Sequence, residues 1–353
     1  MNIYPPRQSE LINIRPDERL DLKNLEPWLR KHLPETDGKL SVSQFGGGHA
    51  NLTYLIRFGR TEYVLRRPPL GIVAATAHDM KREHQVLARL SREYPLAPFS
   101  YVFCDDQNIL GTDFHIMERR HGFVIRQELP ADVRTSANKK RRLGEMVIDN
   151  LSTLHKIDPK TVNLSSLGRP SGYVQRQLNG WRTRWGATER QLRPVETMIS
   201  WLQKNQPSQQ TTTLLHNDYQ LENILVDLRD PTKAVAVLDW DMCTQGDPLM
   251  DLGYLLNWWT DPTDDPTWHK LTPMPKYEVG LLTRKDVIER YAIKTGFDVE
   301  HINWYHLFGV FKLLVILEQI HVRFVRGQTQ DERFKSLGGR VDGLAKKGLS
   351  LLP

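Results

Sequence analysis

The sequence predicts an α+β chain in two parts, a small antiparallel sheet and a larger, mainly helical region. Three observations support this. Residues 40–118 carry β-branched and aromatic runs with alternating apolar positions, broken by Gly, Pro and Asp turns. Beyond residue 138 the apolar positions recur at helical spacing, as in Leu143, Met146, Val147, Leu151 and Leu154. Residues 214–251 then return to short β-branched runs and are dense in polar side chains. The boundary is placed after residue 117, giving parts 1–117 and 118–353.

A chain of 353 residues buries a large core as one elaborate domain or two lobes. With 39% apolar and 25% charged residues it fits the ordinary globular class. The opening MNIYPPRQSELINIRP has no apolar stretch of the secretory kind. Residues 304–320 are the most apolar late segment, but His306, Lys312 and Glu318 interrupt them, which suits a buried helix better than a membrane span. Cys104 and Cys243 stand in no paired spacing, so a reduced, cytoplasmic protein without disulfides is expected. A net charge of +6 and a pI near 9.2 favour anionic partners. No nucleic-acid-binding motif accompanies that charge, so neither nucleic acid nor membrane is expected as a partner.

In chain order, residues 20–33 form an amphipathic helix closed by Pro34, read as a brace. Two strands follow in residues 40–58, flanking Gly46, Gly47 and Gly48, whose backbone can turn tightly and bring N–H groups to an anion. A third strand, residues 62–66, ends on Arg66 before Pro68 and Pro69. The helix over 78–90 sets Glu83 among Met80, Leu87 and Leu90, and the order strand–Arg then helix–Glu favours an Arg66–Glu83 pair. Strands at 100–104 and 113–117, around Asp105 and Asp106, complete the sheet. In the helix over 138–157, His155 lies on the apolar side and is read as a core histidine. Residues 169–193 carry six arginines and one glutamate, with Tyr173, Trp181 and Trp185 interleaved. Arg182 and Arg184 there either hold phosphates beside stacking rings or lie over a neighbouring element, and both readings stand. Helices are expected at 252–259, 285–295 and 302–325, and the tail from Gly327 is expected to be polar and peripheral.

The central stretch reads as a polar loop (216–223), a strand (224–226), a turn at Arg229-Asp230-Pro231 and a strand (235–238) ending on Asp239 and Asp241. A hairpin would bring Asp218, Asn223 and Asp239 to one end. One acid then orients a hydroxyl, while an amide and a second acid share a hard cation. Phosphoryl transfer needs that set, because its catalysis is mostly positioning and charge neutralisation.

These residues resemble a known family. His216-Asn217-Asp218-Tyr219-Gln220-Leu221-Glu222-Asn223 is similar to the H-G-D-x-x-x-x-N loop of the aminoglycoside phosphotransferase and choline kinase branch of the protein-kinase-like fold, with Asn217 in place of glycine. Val237-Leu238-Asp239-Trp240-Asp241 resembles its metal-binding strand end, and Gly246-Asp247-Pro248-Leu249-Met250-Asp251-Leu252 its G-D-P-x-x-D-L segment. The resemblance covers about residues 40–325. HNDYQLEN, YVLRRPP and GYVQRQLNGW look most like the kinase-like module found beside or fused to acyl-CoA dehydrogenases.

The resemblance implies a bilobal fold with a nucleotide-binding lobe at 1–117 and a catalytic and substrate-binding lobe at 118–353. It implies ATP and Mg2+ as cofactors. Asp218 would accept or orient the acceptor proton, and Asn223 and Asp239 would bind magnesium. Arg66, steadied by Glu83, would hold phosphates under the Gly46–Gly48 loop, with backbone groups of Met117, Glu118 and Arg119 at adenine. His216 would prop the loop, Asp247 and Asp251 would orient it, and Asp241 is an auxiliary ligand or a neighbour of Asp239. The implied activity is phosphorylation of hydroxyacyl-CoA thioesters, with an acyl-CoA dehydrogenase as functional partner. The basic charge, with Tyr173, Trp181, Arg182, Arg184 and Trp185, suits such an anionic small-molecule acceptor. Two alternatives stay open: an aminoglycoside or amino-alcohol kinase, and a nucleotide-binding pseudokinase scaffold. A protein kinase is disfavoured, since GDPLMD follows Asp239 almost immediately and no A-P-E segment is found.

Overall fold

A computed structural model of the chain describes residues 11–46, 51–70, 79–209, 211–265, 268, 272–329 and 332–353. The described chain forms two compact units. The first takes the residues up to Phe123 together with Val162–Leu164 and Ile224–Cys243; the second takes Val124–Thr161, Ser165–Asn223 and Thr244–Pro353.

The first unit is built on a six-stranded antiparallel sheet. Its elements are β1 (Leu11–Ile12), α1 (Leu22–His32), β2 (Leu40–Phe45), β3 (Leu52–Phe58), β4 (Thr61–Arg67), α2 (Met80–Leu90), β5 (Ser100–Cys104), α3 (Gln107–Leu110) and β6 (Phe114–Glu118), with strand order β1-β2-β3-β4-β6-β5. α1 begins at Asp21, whose side chain accepts from Lys23 N, and buries Leu25 and Leu29. These leucines join Tyr54, Ile56, Tyr63, Leu65, Phe114 and Ile116 in one core. Strand alternation therefore turns Arg66 and its cross-strand partner His115 to the opposite face. α2, capped by Asp79 through Arg82 N, buries Met80, Glu83, Val86, Leu87 and Leu90, so its carboxylate sits inside an apolar stripe. The expected Asp105-Asp106 turn leads into the short α3, with Asp106 as its cap.

The central hairpin forms as expected. Strand Ile224–Val226 pairs antiparallel with Ala234–Val237, Ile224 opposite Val237, with an irregularity between Ala234 and Ala236. Asp227 organises its turn by accepting from Arg229 N (2.7 Å) and Asp230 N (2.9 Å).

The second unit is helical: α4 (Ala131–Arg134), α5 (Ala137–His155), α6 (Tyr173–Gly186), α7 (Arg193–Lys204), α8 (Leu249–Trp258), α9 (Arg284–Thr295), α10 (Ile302–Val325) and α11 (Leu337–Ser350). A two-stranded pair, Thr213–Leu215 with Thr244–Gly246, carries the chain into and out of the central stretch. Every residue of α8 is buried. It meets α10 backbone to backbone, because a Cβ at Gly309 would lie 2.8 Å from the Gly253 carbonyl oxygen. The tail differs from expectation. α11 buries Leu337, Val341, Leu344, Ala345 and Gly348 and packs on α10 and α7. Helical spacing makes a core stripe there, but Gly338, Gly339, Gly343 and Gly348 dilute its apolar signal in the sequence. Among the described residues no helix is long and apolar enough to cross a membrane.

Candidate active site

In the first unit the chemistry gathers on Arg66. Its Nη1 pairs with Glu83 Oε1 and its Nη2 with Asp239 Oδ1. Glu83 is fully buried, and its other oxygen lies 3.2 Å from His115 Nε2. The Trp240 amide also donates to Glu83, at 3.2 Å. Burial raises the Glu83 carboxyl, but Arg66, His115 and the Trp240 amide outweigh it and hold the pKa at about 2. Burial likewise presses Arg66 toward neutrality, and Asp239 and Glu83 keep it charged. The His115 ring continues into a relay, 3.0 Å from Ser100 Oγ, which is 2.9 Å from His84 Nδ1.

Asp239 adopts a left-handed backbone (φ +71°), a conformation held at a penalty in non-glycine residues. The fully buried Trp240 anchors this turn through Nε1 to the Val237 carbonyl (2.8 Å) and an edge contact with Tyr94. Asp241 accepts from Asn51 Nδ2 at 3.2 Å; burial, then Asp239 and Glu83, push its pKa up to about 7. Gly46 is half-buried at the end of β2, while Gly47 and Gly48 lie outside the described residues. Met117 is buried. Glu118 donates its N–H to the Phe99 carbonyl (2.8 Å), and its carboxylate meets Arg120 (3.0 Å). The Arg119 guanidinium lies 4.8 Å from the Phe45 ring centroid.

In the second unit the chemistry gathers on the 216–223 loop. Asp251, buried in the first turn of α8, accepts from His216 N (2.7 Å) and Asn217 N (2.8 Å). His155 holds the same carboxylate at 3.3 Å and is itself bound to Tyr291 Oη at 2.6 Å, a satisfied core histidine as read from the sequence. Burial raises the Asp251 carboxyl, and His155 and His216 bring it below the usual carboxylate range. Asn217 takes the left-handed conformation (φ +66°) that explains glycine in the family motif, and asparagine tolerates it better than most residues. Its side-chain oxygen accepts from Tyr173 Oη (2.9 Å) and its carbonyl from Lys312 Nζ (2.8 Å). The loop is thereby presented as a rigid piece.

Asn223 Nδ2 donates to the Asp218 carbonyl (2.8 Å) and to Asp218 Oδ2 (2.9 Å), which points the amide oxygen elsewhere. His216 Nδ1 accepts from Asp218 N at 3.3 Å, so His216 props the loop. Asp247 accepts from Leu249 N (3.0 Å) and Tyr305 Oη (2.8 Å), tying the start of α8 to α10. Burial, then the Asp218 charge, raises the Tyr254 hydroxyl well above its usual pKa. Lys312 Nζ sits 4.3 Å from the Tyr254 ring centroid; burial lowers its pKa, with Asp218 and Asp251 opposing.

The arginine-rich helix divides. Tyr173, Trp181 and Trp185 are buried, with Tyr173 occupied at Asn217 and Trp185 Nε1 at Glu196 (3.3 Å). Arg182 is half-buried and Arg184 exposed, the latter 4.5 Å from the Trp181 ring centroid. Tyr173 and Trp185 thus serve packing and loop support. Sequence reasoning missed His115, Tyr254 and Lys312. The last had a signal, a lysine inside an otherwise apolar helical run.

A family model described as the phosphotransferase enzyme family matches residues 41–270. The chain belongs to that family. Over 353 residues it is 30% identical to mouse acyl-CoA dehydrogenase family member 11, covering 97% of this chain and 44% of that protein. The chain therefore spans less than half the length of that relative. A solved Ralstonia eutropha protein, provisionally named an aminoglycoside phosphotransferase, is 26% identical with a TM-score of 0.81, over 94% of this chain and 98% of that one. The GDP complex of aminoglycoside 2'-phosphotransferase-IIIa, 14% identical with a TM-score of 0.60 over 92% and 96% of the two chains, shares the fold. The phosphotransferase family and the kinase-like fold are those the loop and strand-end motifs implied.

Proposed function

We propose that this phosphotransferase-family chain transfers a phosphoryl group from ATP to a hydroxyl of an anionic metabolite, with a hydroxyacyl-CoA as acceptor. The observation that carries the reading is the Asp218–Asn223 pair on a loop clamped by Asp251. Asp218 orients the acceptor hydroxyl and takes up its proton as the bond to phosphorus forms. Arg66 trades its contact with Asp239 for the nucleotide phosphates and keeps Glu83 as its anchor.

The residues fit magnesium. The Asn223 amide nitrogen is engaged on Asp218, leaving Oδ1, and the Asp239 side chain keeps 30% of its surface exposed despite Arg66. Each is a hard oxygen donor of the kind magnesium takes alongside phosphates and water. Magnesium, when bound, supplies neutralisation of phosphate charge. The pairing of Ile224 with Val237 is the hairpin register this reading requires.

The net charge of +6 and the likeness to an acyl-CoA dehydrogenase family protein support the acceptor class. The reading includes work alongside an acyl-CoA dehydrogenase in the cytoplasm. A panel of hydroxyacyl-CoAs, choline, homoserine and aminoglycosides, given ATP and magnesium, tests it. ATP consumption with a phosphorylated hydroxyacyl-CoA is expected from the wild type and not from Asp218→Ala. Preferred turnover of an amino-alcohol, or equal turnover by both proteins, overturns it.

A further inference from the structure

Near the end of α8 the second unit buries polar groups that no atom of the described residues satisfies. Asn257 is fully buried, and neither its Oδ1 nor its Nδ2 has a hydrogen-bond partner among the described residues. Trp268 Nε1 and His306 Nε2 are likewise without partners, in residues 3% and 6% exposed. All three residues surround one cation. Lys347 Nζ, from α11, donates to the Asn257 carbonyl at 3.0 Å and lies 3.2 Å from the Trp268 ring centroid. The charges of Lys347 and Arg284 act on the His306 imidazole. Arg284 is paired with Asp264 at 2.7 Å, which leaves Lys347 without a carboxylate of its own in any ion pair among the described residues.

An unsatisfied buried donor or acceptor costs roughly 1–3 kcal/mol, and apolar residues of similar shape avoid that penalty. Four elements converge here and keep the polar groups. Their chemistry selects the occupant: Trp268 is a donor only, Asn257 brings two donor hydrogens beside its acceptor Oδ1, and Lys347 brings an ammonium that burial, then Arg284, presses toward neutrality and that an anion would restore. The complement is an oxygen-rich anion. Asn257 also stands one turn, about 5 Å of helix rise, beyond Tyr254, whose buried hydroxyl feels the Asp218 charge.

We infer that Asn257, Trp268, His306 and Lys347 form a subsite for an oxyanionic group of the phosphoryl acceptor, several atoms removed from the hydroxyl oriented by Asp218. The assignment to the acceptor rests on the proposed phosphotransferase function; the anion site itself does not. Selectivity then comes from both ends of the acceptor, with the hydroxyl read at Asp218 and the anion at Lys347.

The test uses the whole chain and calorimetric titration with hexanoate and with hexanoyl-CoA, neither of which carries a hydroxyl to phosphorylate. At least one is expected to bind saturably, with affinity about tenfold weaker or worse in Lys347→Met and in His306→Leu. Melting temperatures should not fall in these variants, because the half-buried Lys347 has no carboxylate partner and His306 Nε2 no hydrogen-bond partner among the described residues. Hexanoate binding marks a free carboxylate as the ligand; binding of hexanoyl-CoA alone marks an oxygen of the thioester or its CoA. Asp218→Asn is expected to bind as the wild type does. Absence of saturable binding by both probes, or unchanged affinity in the folded variants, overturns the subsite. A melting temperature that falls in both variants marks a structural cluster and overturns it equally. If the wild type binds hexanoate through Lys347 yet transfers phosphate to nothing, the subsite stands and the phosphotransferase reading falls.

Discussion

Two clusters, one in each unit, treat their polar groups in opposite ways. Around Arg66 each buried ionic group meets another: guanidinium to two carboxylates, Glu83 to His115 and to the Trp240 amide. Around Lys347 the Asn257 amide, the Trp268 indole N–H and His306 Nε2 lack partners among the described residues. The first arrangement fixes geometry in advance and can release a ligand only by exchanging one partner for another. The second is incomplete by itself and tolerates its own instability. On the proposed function, the Arg66 cluster grips phosphate and the Lys347 cluster reads the acceptor.

The largest effect that sharpens this comparison concerns chemistry alone. Asp218→Asn is expected to lower kcat by roughly 10²–10⁴-fold while nucleotide affinity is retained, as read by steady-state kinetics and titration with ATP. Next, Glu83→Ala breaks a saturated network and leaves buried charge uncompensated, so chemical denaturation should show a loss of about 3–5 kcal/mol. The contrast breaks if Glu83→Ala costs no more than Lys347→Met.

Acid unfolding gives a smaller, signed effect. Glu83 titrates at about 2 in the folded chain against an ordinary 4.5, so the folded state binds fewer protons across that interval. Stability from this group is present above about pH 4.5 and is lost as pH falls toward 2. Glu83→Gln should flatten that part of the acid limb in a pH series of denaturation curves. The smallest effect belongs to Asn217→Gly. Glycine suits φ +66° but loses the Tyr173 bond, so stability should change by no more than about 1 kcal/mol.

Much of this was legible in the sequence because it is local. Alternation in β2 to β6 and the Asp227–Thr232 turn announce sheet and hairpin, and Arg66 with Glu83 follows from strand end and helix face. Asn217 was visible only as a departure from glycine, and its positive φ came from the structure. What stayed hidden is non-local. Nothing near Lys312 in sequence reveals that it holds the Asn217 carbonyl, and nothing near Tyr173 reveals that its hydroxyl serves the same residue. The α11 stripe was masked because glycines dilute it, two of them, Gly338 and Gly348, sitting against His321 and Met198, and these read as tail in a linear scan. The aromatic residues of α6 looked like a ligand platform and are largely core, since helical spacing alone does not say which neighbour a face meets.

The central claim is that Asp218 directs a phosphoryl group onto a hydroxyl. It is tested most directly by following the label of γ-32P-ATP with magnesium and a hydroxyacyl-CoA in wild type and Asp218→Asn. The account predicts label on the acceptor in the wild type, and in the variant a rate at least about a hundredfold lower with ATP still bound. Label found only in inorganic phosphate, or transferred equally by both proteins, would contradict it.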